Sequence, residues 1–324
     1  MNAKSLFLPV GLILAVAAGL LFPDAGARLG KLRCFGAPLE QILVIAIFLV
    51  YGFRLRKGHL QLSGRFIGVL AAAVTVNLFM GPLAAAGAAR LVGATGGFLV
   101  GLLVMSCVPT TLSSAIVVTE TSAGNVAWAI ILTVFLMFVG VVVTPFTVSW
   151  SLDFGLQVNV SGWPLLLKIV TLILLPLLAG ILLRRMTGDH SHQVLDYAPS
   201  ACIVLIVWMM VSGNAVTVRA LSGRSIAMFT GTALLVHAAL LAAALASATL
   251  LRLAAPEAKA LVFVSAQKTL PIAVSVLTAL PKDQVAPAML SVATVVCILF
   301  HFSQILGDSL IAGMIRNTKG RHGA

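Results

Sequence analysis

Apolar residues run along this chain in long stretches separated by short polar loops, and about 20 such residues in a helix span a hydrocarbon core. Taken in order, the stretches predict helical spans at 5–23, 38–53, 66–88, 97–120, 124–149, 162–185, 197–215, 225–251, 256–280 and 285–314, ten in all. Inside lipid, each backbone group must find its partner within the protein, so the fold class is all-α and polytopic. Five spans lie before residue 150 and five after it. Because five is odd, a repeat of one half in the other would be inverted across the membrane.

Two spans carry interruptions. In the ninth, LVFVSAQKTLPIAVSVLTAL (261–280), Lys268 stands three residues before Pro271. A Lys at that depth costs roughly 2.5 to 3.5 kcal/mol on insertion scales. Snorkelling would require its stem to pass about two turns, roughly 11 Å of helix. Pro271 has no N–H to donate, and its ring clashes with the carbonyl four residues back, that of Gln267. Freed backbone at membrane depth is tolerated where it lines a cavity or is buried in protein. The fourth span, SCVPTTLSSAIVVTE (106–120), repeats the pattern: Pro109 frees the Met105 carbonyl, and the hydroxyls of Thr110, Thr111, Ser113 and Ser114 follow. Thr111-Leu112 and Thr269-Leu270 lie 158 residues apart, near half the chain. Paired interrupted helices in two halves point to a transporter site at the midplane. The residues expected to line it are Lys268, Thr269, Gln267, Thr111, Ser113 and Ser114.

Other polar residues within the spans are fewer. Asn77, five residues before Pro82, reads equally as an ion ligand or an interhelical hydrogen bond. His301 and Gln304 read as an interhelical hydrogen bond, Glu120 and Asp308 as side chains near water, and Asn125 as a helix cap.

Composition narrows the class further. The chain is 60% hydrophobic and 9% charged, with a mean hydropathy of +1.11, values foreign to a soluble globular protein. The formal charge of +12 sits in short loops between spans. That distribution suits membrane lipid headgroups as the partner and not nucleic acid. Cys107, Cys202 and Cys297 fall inside apolar spans and Cys34 in a loop, with no disulfide framework or metal-ligand spacing. Leaving out Lys168 and Lys268, the loops and tails of one side hold 12 Lys and Arg, among them Arg54, Arg56, Lys57 and Arg316, and the other side 7, including Lys282. Both termini are therefore expected in the cytoplasm, in a bacterial inner membrane. The first span is longer than a signal-peptide core and is read as a helix of the mature protein, although DAGA (24–27) resembles a cleavage site. No nucleotide-binding loop supports an ATP-driven pump, and no ring of like charges supports a channel. Ser265 activated by Lys268, three residues on, would be the intramembrane-hydrolase alternative.

CVPTTLSS in the fourth span, AGNVA (123–127) opening the fifth and SAQKTLP in the ninth together resemble the bile acid:sodium symporter family, and most closely its SBF-like branch. The resemblance covers essentially the whole chain. It implies a single transporter domain over 1–324, with panel helices within 1–60 and 160–220 and core helices within 61–150 and 221–316. The core helices would form inverted repeats, with the fourth and ninth spans crossing at their unwound centres. It also implies secondary transport of a small organic anion, with no bound cofactor and with sodium or a proton as the coupling ion. By the same resemblance, Asn77 and Gln267 match one sodium site, and Ser113, Ser114 and Thr133 a second. A glutamate shared by the two sites falls on Phe263, and an asparagine falls on Lys268. Two sodium ions and that glutamate would leave one net positive charge. Here a protonated Lys268 is expected to supply the same charge without sodium, no carboxylate being foreseen beside it.

Overall fold

The computed structural model describes residues 3–34, 36–54, 64–156, 160–187, 193–281 and 284–321. Arg56, Lys57 and Lys282, which enter the charge count above, lie outside the described residues. The chain is helical nearly throughout. The first segments are α1 (Ala3–Leu21), α2 (Pro23–Gly30) and α3 (Leu39–Arg54), with a two-residue antiparallel pair, β1 (Arg33–Cys34) and β2 (Ala37–Pro38), before α3. Gly36 turns this small hairpin at φ +79°, a conformation that costs glycine nothing.

Next come α4 (Gly64–Val74), a π-helical turn (Thr75–Met80) and α5 (Gly81–Val92), then α6 (Gly96–Cys107), α7 (Ser114–Thr121) and α8 (Val126–Leu156). The second half holds α9 (Gly162–Ile169), another π-turn (Val170–Leu174) and α10 (Leu175–Thr187). It continues with α11 (Gln193–Gly213), α12 (Ala215–Ala220), α13 (Gly223–Leu250), α14 (Ala255–Ala266), α15 (Leu270–Ala279) and α16 (Pro287–Arg321).

Helix is found in each predicted apolar stretch. Among the described residues, six helices are long and apolar enough to cross a membrane, or seven if the pair bent by 103° after Leu21 counts as one. This is fewer than the ten expected, and the reason is length. The fourth stretch is cut into pieces, and the seventh leaves a shorter apolar helix, Tyr197–Gly213. The second, α3, has 16 residues, about 24 Å at the usual rise per residue.

The ninth stretch is the most enclosed. Of its apolar window, 94% is buried inside the protein, against 33 to 61% for the other five. Lipid therefore barely touches it, and the broken backbone there is shielded by protein. Small residues allow this closeness. Gly97 and Gly101 bring α6 onto α16 so tightly that a Cβ would lie 2.4 Å from the Met289 carbonyl and 2.5 Å from that of Ala293, respectively. That four-residue glycine spacing is a common device of helix pairs in lipid. Packing elsewhere joins α3 to α10 and α11, α1 to α11, and α13 to α14 and α16.

Candidate functional site

The two proline-marked interruptions meet. Residues 108–113 separate α6 from α7, and 267–269 separate α14 from α15. The Thr269 amide donates to the Pro109 carbonyl at 3.0 Å, so the broken strands of backbone touch directly. Gly140 of α8 makes room for the first of them, since a Cβ there would lie 2.5 Å from the Pro109 ring.

Backbone groups released by the breaks are each taken up by particular side chains. Thr144 Oγ1 donates to the Cys107 carbonyl at 3.1 Å. Asn77 Nδ2 donates to the carbonyls of Ser265 at 2.8 Å and Gln267 at 2.9 Å. Gln304 clasps the main chain of Lys268 from both sides: Oε1 accepts from its amide at 3.0 Å, and Nε2 donates to its carbonyl at 2.5 Å. His301 Nδ1 stands 3.2 Å from the same carbonyl. The interhelical role expected of His301 and Gln304 is thus what they perform. Unpaired, each of these buried carbonyls would cost about 1 to 3 kcal/mol.

Lys268 is fully buried. Its Nζ donates to the carbonyls of Asn77 and of Val108, the second at 3.2 Å. Both acceptors follow from the sequence. Val108 precedes Pro109 in the first break, with ψ 153° and no place in a helix. Asn77 lies in the π-turn, where an i→i+5 bond would aim its carbonyl at residue 82. Residue 82 is a proline with no N–H to offer. Gly81 leaves space for the ammonium, because a Cβ there would lie 2.8 Å from Nζ.

A second cluster hangs on the Gln267 side chain. Its Oε1 accepts from Thr111 Oγ1 and Ser114 Oγ, each at 2.7 Å, and those hydroxyls are 2.6 Å apart. Its Nε2 donates to Asp308 Oδ2 at 2.7 Å. Asp308 Oδ1 in turn lies 2.7 Å from His237 Nε2. The expectation of Asp308 near water is corrected: its side chain is fully buried, held by two nitrogen donors on α13 and in the second break. With it falls the expectation of a core lacking a carboxylate. His237 escaped the sequence reading altogether. An Asp inside a 30-residue candidate span and a His inside a 28-residue one were the available signal, since ionisable residues within spans mark functional sites.

The remaining expected site residues are placed as follows. Thr269 joins through its backbone and is 5% exposed. Ser113 is half-buried, with its Oγ 3.5 Å from the Tyr51 hydroxyl across on α3. Thr133 is buried on α8, and its Oγ1 has no hydrogen-bond partner among the described residues; the same holds for Asn77 Oδ1 and Ser265 Oγ. Three such oxygens are of a kind that could face a cation. Gln267 Oε1, by contrast, is already occupied by two hydroxyls. Glu120 is exposed, as expected, and Asn125 caps α8 by accepting from the Trp128 amide at 3.1 Å. The hydrolase alternative loses its geometry, because the Lys268 ammonium is committed to carbonyls and Ser265 Oγ has no base.

Comparison with known proteins agrees in class. A model of the SBF-like CPA transporter family matches residues 7–317. The chain is 27% identical over 334 residues to a protein of Oryza sativa subsp. indica named probable sodium/metabolite cotransporter BASS4, chloroplastic, spanning 97% of this chain and 76% of that one. The Arabidopsis thaliana protein of the same name is 26% identical over 330 residues, 96% of this chain and 73% of its own. Sodium/bile acid cotransporter 7 of Xenopus tropicalis is 29% identical over 203 residues, covering 61% and 58% of the two chains.

Proposed function

Because the chain belongs to the SBF-like CPA transporter family, we propose that it is a secondary transporter that moves a small organic anion past the crossing of its two broken spans. In this reading ten spans form two inverted repeats, and the core helices within 61–150 and 221–316 move against the panel helices within 1–60 and 160–220. The relatives are named as sodium cotransporters, and the buried cation at the crossing of this chain is Lys268. The observation that carries the reading is the pair of main-chain carbonyls, from Asn77 and Val108, that receives the Lys268 ammonium. Carbonyl oxygens released from helices at mid-membrane are the groups that coordinate a monovalent cation in broken-helix transporters. An ammonium held there replaces one such ion with a charge bonded to the protein.

Two consequences follow. First, the anion meets positive potential at the crossing without a sodium ion in that place, reinforced by the N-terminal ends of α7 and α15. Second, a sodium ion close to Lys268 is disfavoured: two unit charges 4 Å apart repel by about 4 kcal/mol at an effective dielectric of 20. The membrane lies in the bacterial envelope with both termini inside. The test is flux of radiolabelled carboxylates and sulfate esters into proteoliposomes with sodium replaced by choline. Wild type should transport in either medium, and Lys268→Gln should lose transport in choline. Absence of flux for every anion class would end the reading, and steep sodium activation of the wild type would end the role given to Lys268.

A further inference from the structure

A cation covalently attached at the crossing sets the local field but cannot be carried across, so active transport by a chain with Lys268 in that place takes an exchangeable ion. The buried pair on α13 and α16 has the chemistry to supply one. Asp308 and His237 are 0% and 3% exposed, and 2.7 Å separates Oδ1 from Nε2. For the imidazole to serve the carboxylate, its hydrogen must be on Nε2, which leaves the Nδ1 lone pair open. Nδ1 is buried and has no partner among the described residues. With the carboxylate ionised and the imidazole neutral, the pair carries one negative charge. A proton added at Nδ1 converts imidazole to imidazolium, breaks no bond and leaves the pair neutral.

We infer that His237 and Asp308 form the proton-binding site of this transporter, loading one proton with each anion. The inference rests on the anion reading above. With the pair unprotonated, its charge cancels that of Lys268; with the proton bound, the core gains one net positive charge, the condition an anion prefers. The connection to the crossing is physical. Asp308 Oδ2 fixes the amide of Gln267, whose Oε1 gathers the hydroxyls of Thr111 and Ser114 from the other broken span. Loading the pair therefore changes the charge felt at one end of a continuous hydrogen-bonded chain that ends on α7.

Other groups on the packed elements serve less well. Lys268 Nζ is shared between two carbonyls, and Cys107 Sγ lies 3.5 Å from Ser151 Oγ. His301 also has an unpartnered Nε2 but no carboxylate beside it, so a proton there would stand uncompensated. Arg90, Glu120, Arg219, Arg224, Glu257, Lys259 and Arg316 lie toward the ends of their helices. Histidine is also the side chain whose ordinary charge change falls between about pH 5 and about pH 8.

The test needs no organic anion. Full-length protein in proteoliposomes on a solid-supported membrane is given a pH jump, and the transient charge displacement is recorded. Wild type should respond, Glu120→Gln should respond equally, and His237→Gln and Asp308→Asn should fall to the level of empty liposomes. A response that survives both substitutions, or one abolished by Lys268→Gln and by neither of them, overturns the inference. Should either variant fail to reconstitute, infrared difference spectra of the wild type with isotope-labelled histidine rings decide. A labelled imidazole band accompanied by a carboxylate shift is expected across the pH jump, and its absence overturns the inference. Failure of anion flux with an intact pH-jump response would remove the substrate reading and leave the proton site standing.

Discussion

Asn77 and Lys268 clasp across the crossing: the Lys268 ammonium donates to the Asn77 carbonyl, and the Asn77 side-chain amide donates to the carbonyls of Ser265 and Gln267, the latter immediately before Lys268. The two halves of this clasp separate on mutation. Asn77→Ala keeps the main-chain acceptor for Nζ and removes both side-chain donors, stranding two buried carbonyls at about 1 to 3 kcal/mol each. The melting temperature in detergent should fall, while sodium-independent transport by folded protein persists. An unchanged melting temperature would mean that water or a shifted backbone supplies those donors.

Gly81 should tolerate no side chain. A Cβ there would lie 2.6 Å from the Ser106 carbonyl as well as 2.8 Å from Lys268 Nζ, and backbone cannot move aside as a flexible stem can. Gly81→Ala should destabilise by about 1 to 3 kcal/mol, the usual range for overpacking. Combining it with Lys268→Ala in a double-mutant cycle should recover only the part due to the ammonium. Full recovery would show that the Ser106 contact is relieved at no cost.

The hydroxyls of the two breaks differ in access. Ser113 is half-buried, whereas Thr269 is 5% exposed. In a background lacking Cys34, Cys107, Cys202 and Cys297, Ser113→Cys should react with a small polar thiol reagent. Thr269→Cys should react more slowly by an order of magnitude or more. Equal rates would place both residues in one open cavity, and inert thiols at both would make the breaks packed kinks.

How much of this was legible in the sequence can be judged residue by residue. Proline chemistry gave both interruptions, and their near half-chain spacing led to the idea that they meet, which the Thr269 to Pro109 hydrogen bond realises. Gln267 and Lys268 stood out because charge and amide are costly in lipid. The resemblance brought Asn77 to Gln267, but nothing in the linear pattern says that the Asn77 amide spans the carbonyls of Ser265 and Gln267 or that Asp308 faces Gln267. Asp308 misled because it lies two turns before a basic helix end, a position that normally reaches water. What buries it is the packing of α16 against α13 and the second break, where His237 and Gln267 close on its carboxylate, a tertiary fact. His237, set among alanines and leucines, carried no neighbouring motif to draw attention.

Where the resemblance implies a carboxylate, at residue 263, the chain has Phe263, and the buried carboxylate of this core is that of Asp308. Phe263 packs with Val118 and Ala312 in a small apolar cluster. Gln267 lies one turn after Phe263, and Asp308 one turn before Ala312, so the carboxylate stands on the helix facing the broken span. Under the function proposed above, the ammonium at 268 and the carboxylate at 308 take the parts of a sodium ion and a glutamate. Reversing the exchange should restore sodium sensitivity. Phe263→Glu combined with Lys268→Asn frees the carbonyls of Asn77 and Val108 and sets a full negative charge one turn from Gln267. Added sodium should raise the melting temperature of this double variant and leave that of the wild type where choline leaves it. Binding to the native state alone stabilises by about 2.7 kcal/mol at a ligand concentration 100 times the dissociation constant, well within what a thermal shift resolves. A wild type stabilised by sodium as strongly as the double variant would show that Lys268 does not stand in the ion's place.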